Sequence, residues 1–266
     1  MKSDPLGDRV KHLERIEAGR SFPEDAPVVI RIDGRRFSRF TRGFRKPFDP
    51  ALSGAMRETC RFLVQETQAR IGYVQSDEIT LILQRRHDLD ALPFSGRSQK
   101  LASICASLAT ACFMRTLHAT HAEKVFGELP TFDARAWPVP DRQAAAEALV
   151  WRIRDARKNG ISAACRVVAR PSEMQGLDGR AMIALMAERG IRFERDIAAR
   201  DRLGVLFRRE VRHERIDDAT WERIPERSRP PCREVSRRAV VAVPVQGFLD
   251  AGCAPEWIFD EPDGAA

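Results

Sequence analysis

Two stretches of sequence decide the fold: VVIRIDG at residues 28–34 and GYVQSDEITLIL at residues 72–83. The first is a β-branched run that predicts a strand over 28–32, ending at the turn signal Asp33-Gly34. The second divides into two strand-like runs separated only by Asp77 and Glu78, which predicts a tight antiparallel hairpin. Since Asp-Glu lacks the glycine that such turns prefer, the two carboxylates at this tip indicate a working site.

Helical patterns lie between and after these strands. Apolar residues recur at three-and-four spacing over 51–69 and again over about 97–117, and a further strand is predicted over 132–139. The resulting order, β-α-β-β-α-β, is typical of a ferredoxin-like antiparallel sheet with helices on one face. We therefore predict an α+β fold with a palm-type catalytic domain over residues 1–140.

The remaining residues, 141–266, predict a helical and irregular extension packed on the palm and used for RNA contacts and oligomerisation. Asp141 caps a predicted helix that ends before Asn159-Gly160, and a second helix is predicted over about 179–189. The segment 207–238 alternates Arg with Glu and Asp and contains three prolines, so we expect a peripheral, solvated extension, with a hairpin as one possible form.

Composition limits the classes of partner. The 266 residues include 45 Lys and Arg against 38 Asp and Glu, and this net charge of +7 favours a polyanion such as nucleic acid. The six cysteines form no Cys-x-x-Cys pair and have no zinc-ligand spacing. No apolar run approaches the roughly 18 residues of a membrane span, and the N-terminus lacks a signal-peptide pattern. We expect a cytoplasmic protein without a membrane partner.

In the predicted sheet, the end of the first strand lies beside the hairpin tip, so that Asp33, Asp77 and Glu78 converge. Carboxylates that converge repel one another, and a divalent cation such as Mg²⁺ resolves this by binding their oxygens together with substrate phosphates. Two such ions would suit the palm-type chemistry of nucleotidyl transfer. Taken separately, Asp33 would be a turn residue and Asp77-Glu78 a solvated tip.

Basic residues flank this predicted site. Residues 31–46 carry seven Arg and Lys against the single Asp33, a local charge of +6 suited to a nucleoside triphosphate or an RNA end. A second basic stretch, 152–170, contains candidate RNA contacts, although taken alone it favours a solvated helix face. The candidates are Arg152, Arg157, Lys158 and Asn159.

Several blocks of the chain resemble the tRNA-His guanylyltransferase family and its 3'-to-5' polymerase relatives, the guanylyltransferase-like proteins. The blocks are RIDGRRFSRF at 31–40, KPFD at 46–49, YVQSDE at 73–78, RSQK at 97–100, FDAR at 132–135 and WRIRDARKN at 151–159. The resemblance covers about residues 20–210 and is most specific in the first half.

This resemblance implies roles for individual residues. Asp33, Asp77 and the Gly34 carbonyl would bind two Mg²⁺ ions, and Glu78 would support the catalytic site. The nucleoside triphosphate would be lined by Asp33, Gly34, Arg35, Arg36, Phe37, Ser38, Ser76 and Asp77. Its phosphates would be contacted by Lys46, Arg97 and Lys100.

The same resemblance implies a template-dependent nucleotidyltransferase that adds nucleotides from GTP, ATP and others to tRNA 5' ends, working as a homotetramer or dimer. Where enzymes dedicated to tRNA-His carry His-Ile-Asn-Asn, this chain reads Arg157-Lys158-Asn159-Gly160, which is similar to the guanylyltransferase-like proteins that repair tRNA 5' ends. Two alternatives stay open: a palm-type nucleotide cyclase, which would need no basic flank, and a catalytically silent RNA-binding module, which would need no carboxylates.

Overall fold

A computed structural model describes residues 4–86 and 91–260 of the chain. The strands are β1 Val28–Arg35, β2 Ile71–Gln75, β3 Glu78–Leu83, β4 Thr131–Pro138, β5 Val205–Arg215 and β6 Glu234–Pro244. The longer helices are α1 Pro5–Ala18, α3 Pro50–Thr67, α4 Ser98–Gly127, α5 Arg142–Cys165 and α7 Gly179–Glu188. The short helices are α2 Phe37–Phe40, α6 Pro171–Met174, α8 Phe193–Asp196, α9 Ala199–Arg202, α10 Asp218–Arg223, α11 Val245–Asp250 and α12 Pro255–Phe259.

The six strands form one sheet in the order β4-β1-β3-β2-β5-β6, and every neighbouring pair is antiparallel. The four strands β4-β1-β3-β2, with α3 and α4 as their crossovers, form the predicted ferredoxin-like unit. The predicted α+β class is therefore confirmed. The boundary at residue 140 between a palm and an extension stays a prediction.

Side chains alternate along β1 between two apolar cores, one on each face of the sheet. Ile30 and Ile32 pack under α3 and α4, whereas Val29 packs under α5 together with Leu149 and Phe248. The palm helices thus cover one face, as predicted, and the extension covers the other. Because Arg31 and Asp33 share the face of Val29, they point toward α5.

Helix α3 begins at a strong capping signal and packs closely on the sheet. The Asp49 carboxylate accepts hydrogen bonds from the backbone N–H groups of Ala51 and Leu52, and Pro50 occupies the first turn. Under the helix lies Gly72 of β2, where an added Cβ would overlap Val64 and lie 2.9 Å from Cys60 Sγ. The absence of a side chain at residue 72 is what lets α3 approach the strand.

Helix α4 is the one helix, among the residues described, that is long and apolar enough by composition to cross a membrane. The sequence pattern did not predict such a stretch. Leu101, Cys105 and Phe113 are fully buried against α3 and the sheet, which is the environment of a core helix.

Two sequence predictions are wrong in detail. Helix α5 does not end before Asn159-Gly160 but continues to Cys165, because Ile161, Ala164 and Cys165 pack in a third core with α7, and this packing outweighs the local stop signal. The segment 207–238 is a hairpin whose base joins the sheet, with Val205–Arg208 paired to β2, rather than being wholly peripheral.

We predict that Gly72→Ala lowers the free energy of unfolding by about 1–3 kcal/mol, the usual cost of overpacking a tight core. Urea unfolding measures this change. Gly127→Ala is the matched control, since no described atom lies within 4 Å of a Cβ added there. Equal stability of the two variants would contradict the close packing of α3 on β2.

Candidate active site

The end of β1 and the tip of the β2–β3 hairpin meet at one end of the sheet. The backbone N–H of Gly34 donates to the Asp77 carbonyl at 3.0 Å, and Asp33 lies opposite Glu78 in the register. A Cβ added to Gly34 would overlap the Phe37 ring and lie 3.0 Å from the Cβ of Asp77. Glycine at residue 34 therefore permits the contact between the two segments.

The hairpin turn is centred on Ser76 and Asp77, one residue earlier than the sequence pattern predicted. Ser76 has a φ of 54°, the left-handed conformation that two-residue hairpins favour at their first central position. Glu78 consequently opens β3 and pairs with Gln75. The shift places Asp77 at the turn and Glu78 on the sheet face that carries Asp33.

Asp77 is a partly buried carboxylate beside a second carboxylate. The pKa of Asp77 is raised, chiefly by burial and also by the nearby charge of Asp33. The hydrogen bond from the Ser76 hydroxyl at 3.0 Å opposes this rise. Two carboxylates held together in this way create an electrostatic cost that a bound cation would relieve.

Glu78 has a different environment, because two arginines hold its carboxylate. Arg152 of α5 donates from Nη2 to Glu78 at 2.6 Å, its Nε is also paired with Glu78, and the Arg31 guanidinium lies at 3.6 Å. Burial raises the pKa of Glu78, and the charges of Arg152 and Arg31 oppose that rise. Glu78 thus anchors α5 to the sheet.

Two cavities meet at the hairpin tip, and Ser76 and Asp77 line both of them. The helix-side cavity, about 420 Å³, lies between the sheet and α5. Its lining includes Arg31, Asp33, Glu78, Trp151, Asp155 and Asn159. The loop-side cavity, about 680 Å³, lies beside the segment between α2 and α3. Its lining includes Ser38, Phe44, Lys46, Phe48, Asp49 and Arg166.

The predicted nucleotide-binding residues fall in four places. Phe37, Ser38, Lys46, Ser76 and Asp77 line the loop-side cavity, and Asp33 lines the helix-side cavity. Arg35 and Arg36 line a separate surface depression with Arg39 and Glu128. Arg97 and Lys100 lie at the start of α4, where Arg97 bridges Ser21, near the end of the sheet remote from Asp33. All of these roles stay predictions.

The predicted RNA contacts lie along α5, and three of them have partners within the chain. Arg152 is only 11% exposed and also bonds Asp155, whose carboxylate accepts from the Asn159 amide at 3.2 Å. Arg157 pairs with Glu194 at 2.5 Å. Lys158 is exposed. Their roles toward RNA stay predictions.

Several lining residues were not singled out from the sequence as site residues. Trp151, Asp155 and Arg166 belong to α5 or directly follow it, and Trp151 is 56% exposed with the Arg152 guanidinium 4.5 Å from its ring centroid. The three-and-four spacing of 152, 155 and 159 places those residues on one helical face. That spacing was the sequence signal from which Asp155 could have been predicted as a site residue beside Arg152 and Asn159.

The carboxylates suit a metal ion that is coordinated partly by substrate phosphates, rather than an ion coordinated by protein ligands alone. Among the described residues, no group of three or more His, Cys, Asp and Glu could hold a metal ion. Asp33 and Asp77, with the Gly34 carbonyl, supply the hard oxygen donors that Mg²⁺ prefers, and Mg²⁺ is commonly held by one or two carboxylates plus substrate phosphates. The donor set therefore fits a divalent ion shared with a nucleotide.

Comparison with known proteins identifies the relatives of this chain. The family model described as Thg1: tRNAHis guanylyltransferase matches residues 7–140. An uncharacterized protein, R259, of Acanthamoeba polyphaga mimivirus is 29% identical over 230 residues, which cover 79% of this chain and 78% of that protein. The tRNA(His) guanylyltransferase of Schizosaccharomyces pombe is 32% identical over 155 residues, which cover 57% of this chain and 56% of that enzyme.

Two solved structures are similar along most of the chain. A bacterial tRNA(His) guanylyltransferase (Thg1)-like protein in complex with ATP has a TM-score of 0.72 and 35% identity, covering 77% of this chain and 87% of that one. A bacterial Thg1-like protein in complex with GTP has a TM-score of 0.67 and 28% identity, covering 96% of this chain and 99% of that one.

We predict that Arg152→Ala lowers the free energy of unfolding by about 3 kcal/mol at pH 7, because it leaves Glu78 buried with less cationic compensation. The loss raises the pKa of Glu78 further above its unfolded value. The deficit therefore shrinks as the pH falls from 7 to 4 and Glu78 takes up a proton. Urea unfolding at both pH values measures this.

The exposed neighbour Arg154 provides the control, since Arg154→Ala removes a guanidinium from the same helix without uncovering Glu78. The double variant Glu78→Gln, Arg152→Met is expected to recover much of the lost stability. A deficit in Arg152→Ala that does not change with pH would contradict the coupling.

Proposed function

The chain belongs to the tRNA-His guanylyltransferase family of nucleotidyltransferases, and on that premise we propose that it adds nucleotides to tRNA 5' ends in the 3'-to-5' direction, directed by a template. The observation that carries this proposal is the placement of Asp77, beside Asp33, where the two cavities meet. A reaction between a nucleotide and an RNA end needs both ligands at one set of carboxylates.

The loop-side cavity suits the nucleoside triphosphate. Its volume of about 680 Å³ lies within the range of roughly 300–1,000 Å³ found for small-molecule sites. Phe44 and Phe48 provide apolar walls for a base, while Lys46 and Arg166 supply positive charge for phosphates. The similar bacterial proteins whose structures were solved in complex with ATP and with GTP support this assignment.

The helix-side cavity suits the RNA end. Trp151 offers an exposed ring at the rim, and base–aromatic stacking is tolerant of sequence. Arg31 lines the same cavity, where it also forms an ion pair with Glu78. Lys158 and Arg154 are exposed on α5 and would contact the RNA backbone.

We propose Mg²⁺ as the divalent ion, in two copies, held by Asp33, Asp77 and the Gly34 carbonyl together with phosphate oxygens. When bound, such ions neutralise phosphate charge and polarise the phosphorus that is attacked. The Ser76 hydroxyl orients the Asp77 carboxylate, and Lys46 holds the triphosphate in line. Glu78 supports the site through Arg152 and Arg31.

The reaction has two displacements at phosphorus. A 5'-phosphate oxygen of the RNA first attacks the α-phosphorus of a nucleoside triphosphate, and pyrophosphate leaves. The 3'-hydroxyl of an incoming nucleotide then attacks the activated 5'-phosphorus, and the activating nucleoside monophosphate leaves. An RNA that already bears a 5'-triphosphate needs only the second displacement, with pyrophosphate as the leaving group.

We further propose general repair of tRNA 5' ends rather than dedicated maturation of tRNA-His. Arg157-Lys158-Asn159-Gly160 replaces the His-Ile-Asn-Asn of the dedicated enzymes, and the Asn159 amide bonds Asp155 within α5. We also propose a homotetramer or dimer in the cytoplasm. The free thiols of all six cysteines are compatible with a reducing compartment.

We predict 5' extension when purified protein is incubated with a 5'-truncated, 5'-triphosphorylated tRNA, nucleoside triphosphates and Mg²⁺. Asp77→Ala should lower the rate at least ~100-fold, a loss of about 2.7 kcal/mol of transition-state stabilisation, with the fold retained by circular dichroism. Asp25→Ala is the control, because Asp25 is exposed and pairs with Arg85 away from both cavities. If folded wild-type protein extends no tRNA with any nucleotide, the polymerase assignment is contradicted.

We predict that Lys46→Ala raises KM for the nucleoside triphosphate about tenfold, since a charge-assisted contact contributes roughly 1.5 kcal/mol or more. KM for the tRNA should change far less, as Lys46 lines only the loop-side cavity. Lys124→Ala serves as a control, because Lys124 pairs with Glu128 outside both cavities. Equal effects on the two KM values would contradict the assignment of the nucleotide to the loop-side cavity.

A further inference from the structure

Helix α1 carries a stripe of apolar side chains that nothing in the described chain covers. None of its 14 residues is buried, and four large apolar side chains lie between 55% and 62% exposed. They are Leu6, Val10, Leu13 and Ile16. A helix of this length is marginal in water without packing, so this stripe calls for a partner.

The spacing of the stripe matches a short coiled-coil seam. Leu6, Val10 and Leu13 follow the four-and-three spacing of heptad positions d, a and d. Within parallel coiled coils, a β-branched residue at position a with leucine at position d favours two strands over three or four. The partner that this pattern fits is a second copy of the same helix.

Charges beside the seam favour the parallel orientation. In this register Arg9 occupies position g and Glu14 the following position e, so a parallel pair places Arg9 of one copy against Glu14 of the other, twice. In an antiparallel pair, positions g of the two copies face each other, and so do positions e. Arg9 then lies near Arg9 or Ile16 of the other copy, and Glu14 has no cation opposite it. The parallel arrangement is therefore complementary at the flanking positions e and g, while Glu17, at the next position a, lies beside Glu17 of the other copy at the end of the seam.

The overall charge of α1 argues against a lipid surface as the partner. Its three acidic residues balance its three basic ones, apart from His12. Helices that bind anionic membranes instead carry a strongly basic polar face.

We propose that α1 pairs with α1 of a second copy as a parallel two-stranded coiled coil about a two-fold axis. The helix leads into Ser21, which bridges Arg97 at the start of α4, and Arg20 accepts a hydrogen bond from the Ser98 N–H. This is the end of the sheet remote from Asp33, so pairing leaves both cavities open. Since α1 is about 21 Å long, the contact is small and depends on protein concentration.

Site-specific disulfide formation in the full-length protein tests this pairing, independently of catalysis. A parallel seam places Leu13 against its own copy, so Leu13→Cys, in a Cys232→Ser background that removes the exposed natural thiol, should form a covalent dimer on mild oxidation. Arg15→Cys is the matched control, because Arg15 lies on the opposite side of the helix from the stripe. We expect the Leu13→Cys dimer to form at least several-fold faster.

A charge swap tests the register. Arg9→Glu and Glu14→Arg, each added to Leu13→Cys, should slow dimer formation, and the two together should restore it. Equal cross-linking by Leu13→Cys and Arg15→Cys would overturn the proposal, as would a double swap no better than either single change. Binding of the protein to anionic phospholipid vesicles through α1, without a Leu13→Cys dimer, would overturn it in favour of a membrane contact.

Discussion

The close contact between the end of β1 and the tip of the neighbouring hairpin is the constraint on which the rest of the site depends. It consists of one backbone hydrogen bond, from the Gly34 N–H to the Asp77 carbonyl at 3.0 Å, and of a close approach that leaves no room for a side chain at residue 34. This contact holds two carboxylates together against their repulsion. The folding energy of the surrounding sheet, in which β1 lies between β4 and β3, maintains that arrangement.

The three acidic residues of the site have different tasks because they sit in different surroundings. Asp33 and Asp77 lie near enough for their charges to interact and form no ion pair among the described residues, whereas Glu78 is held by Arg152 and Arg31. The Glu78 pair ties α5 to the sheet and so forms one wall of the helix-side cavity. A structural ion pair thus positions the surface that would receive RNA, while the other two carboxylates remain available for metal.

Much of the fold was predictable from local patterns, since β1, the hairpin and α3 each carry a strong signal at short range. The hairpin turn was misplaced by one residue because Ser76 adopts a left-handed conformation that its residue type does not announce. The continuation of α5 past Gly160 depends on packing against α7, which no local signal reports. In the site, convergence of Asp33 and Asp77 followed from strand order, but the roles of Arg152 and Trp151 required the position of α5. The remote position of Arg97 and Lys100 likewise follows only from the direction of α4.

Cation binding at the two carboxylates tests the central claim most directly. Mn²⁺, which reports its own binding by electron paramagnetic resonance, would be titrated into the protein with a non-hydrolysable ATP analogue. The account predicts Mn²⁺ binding that Asp33→Asn or Asp77→Asn each abolishes and that Glu78→Gln leaves largely intact. Undiminished Mn²⁺ binding in both aspartate variants, or loss only in the Glu78 variant, would contradict it.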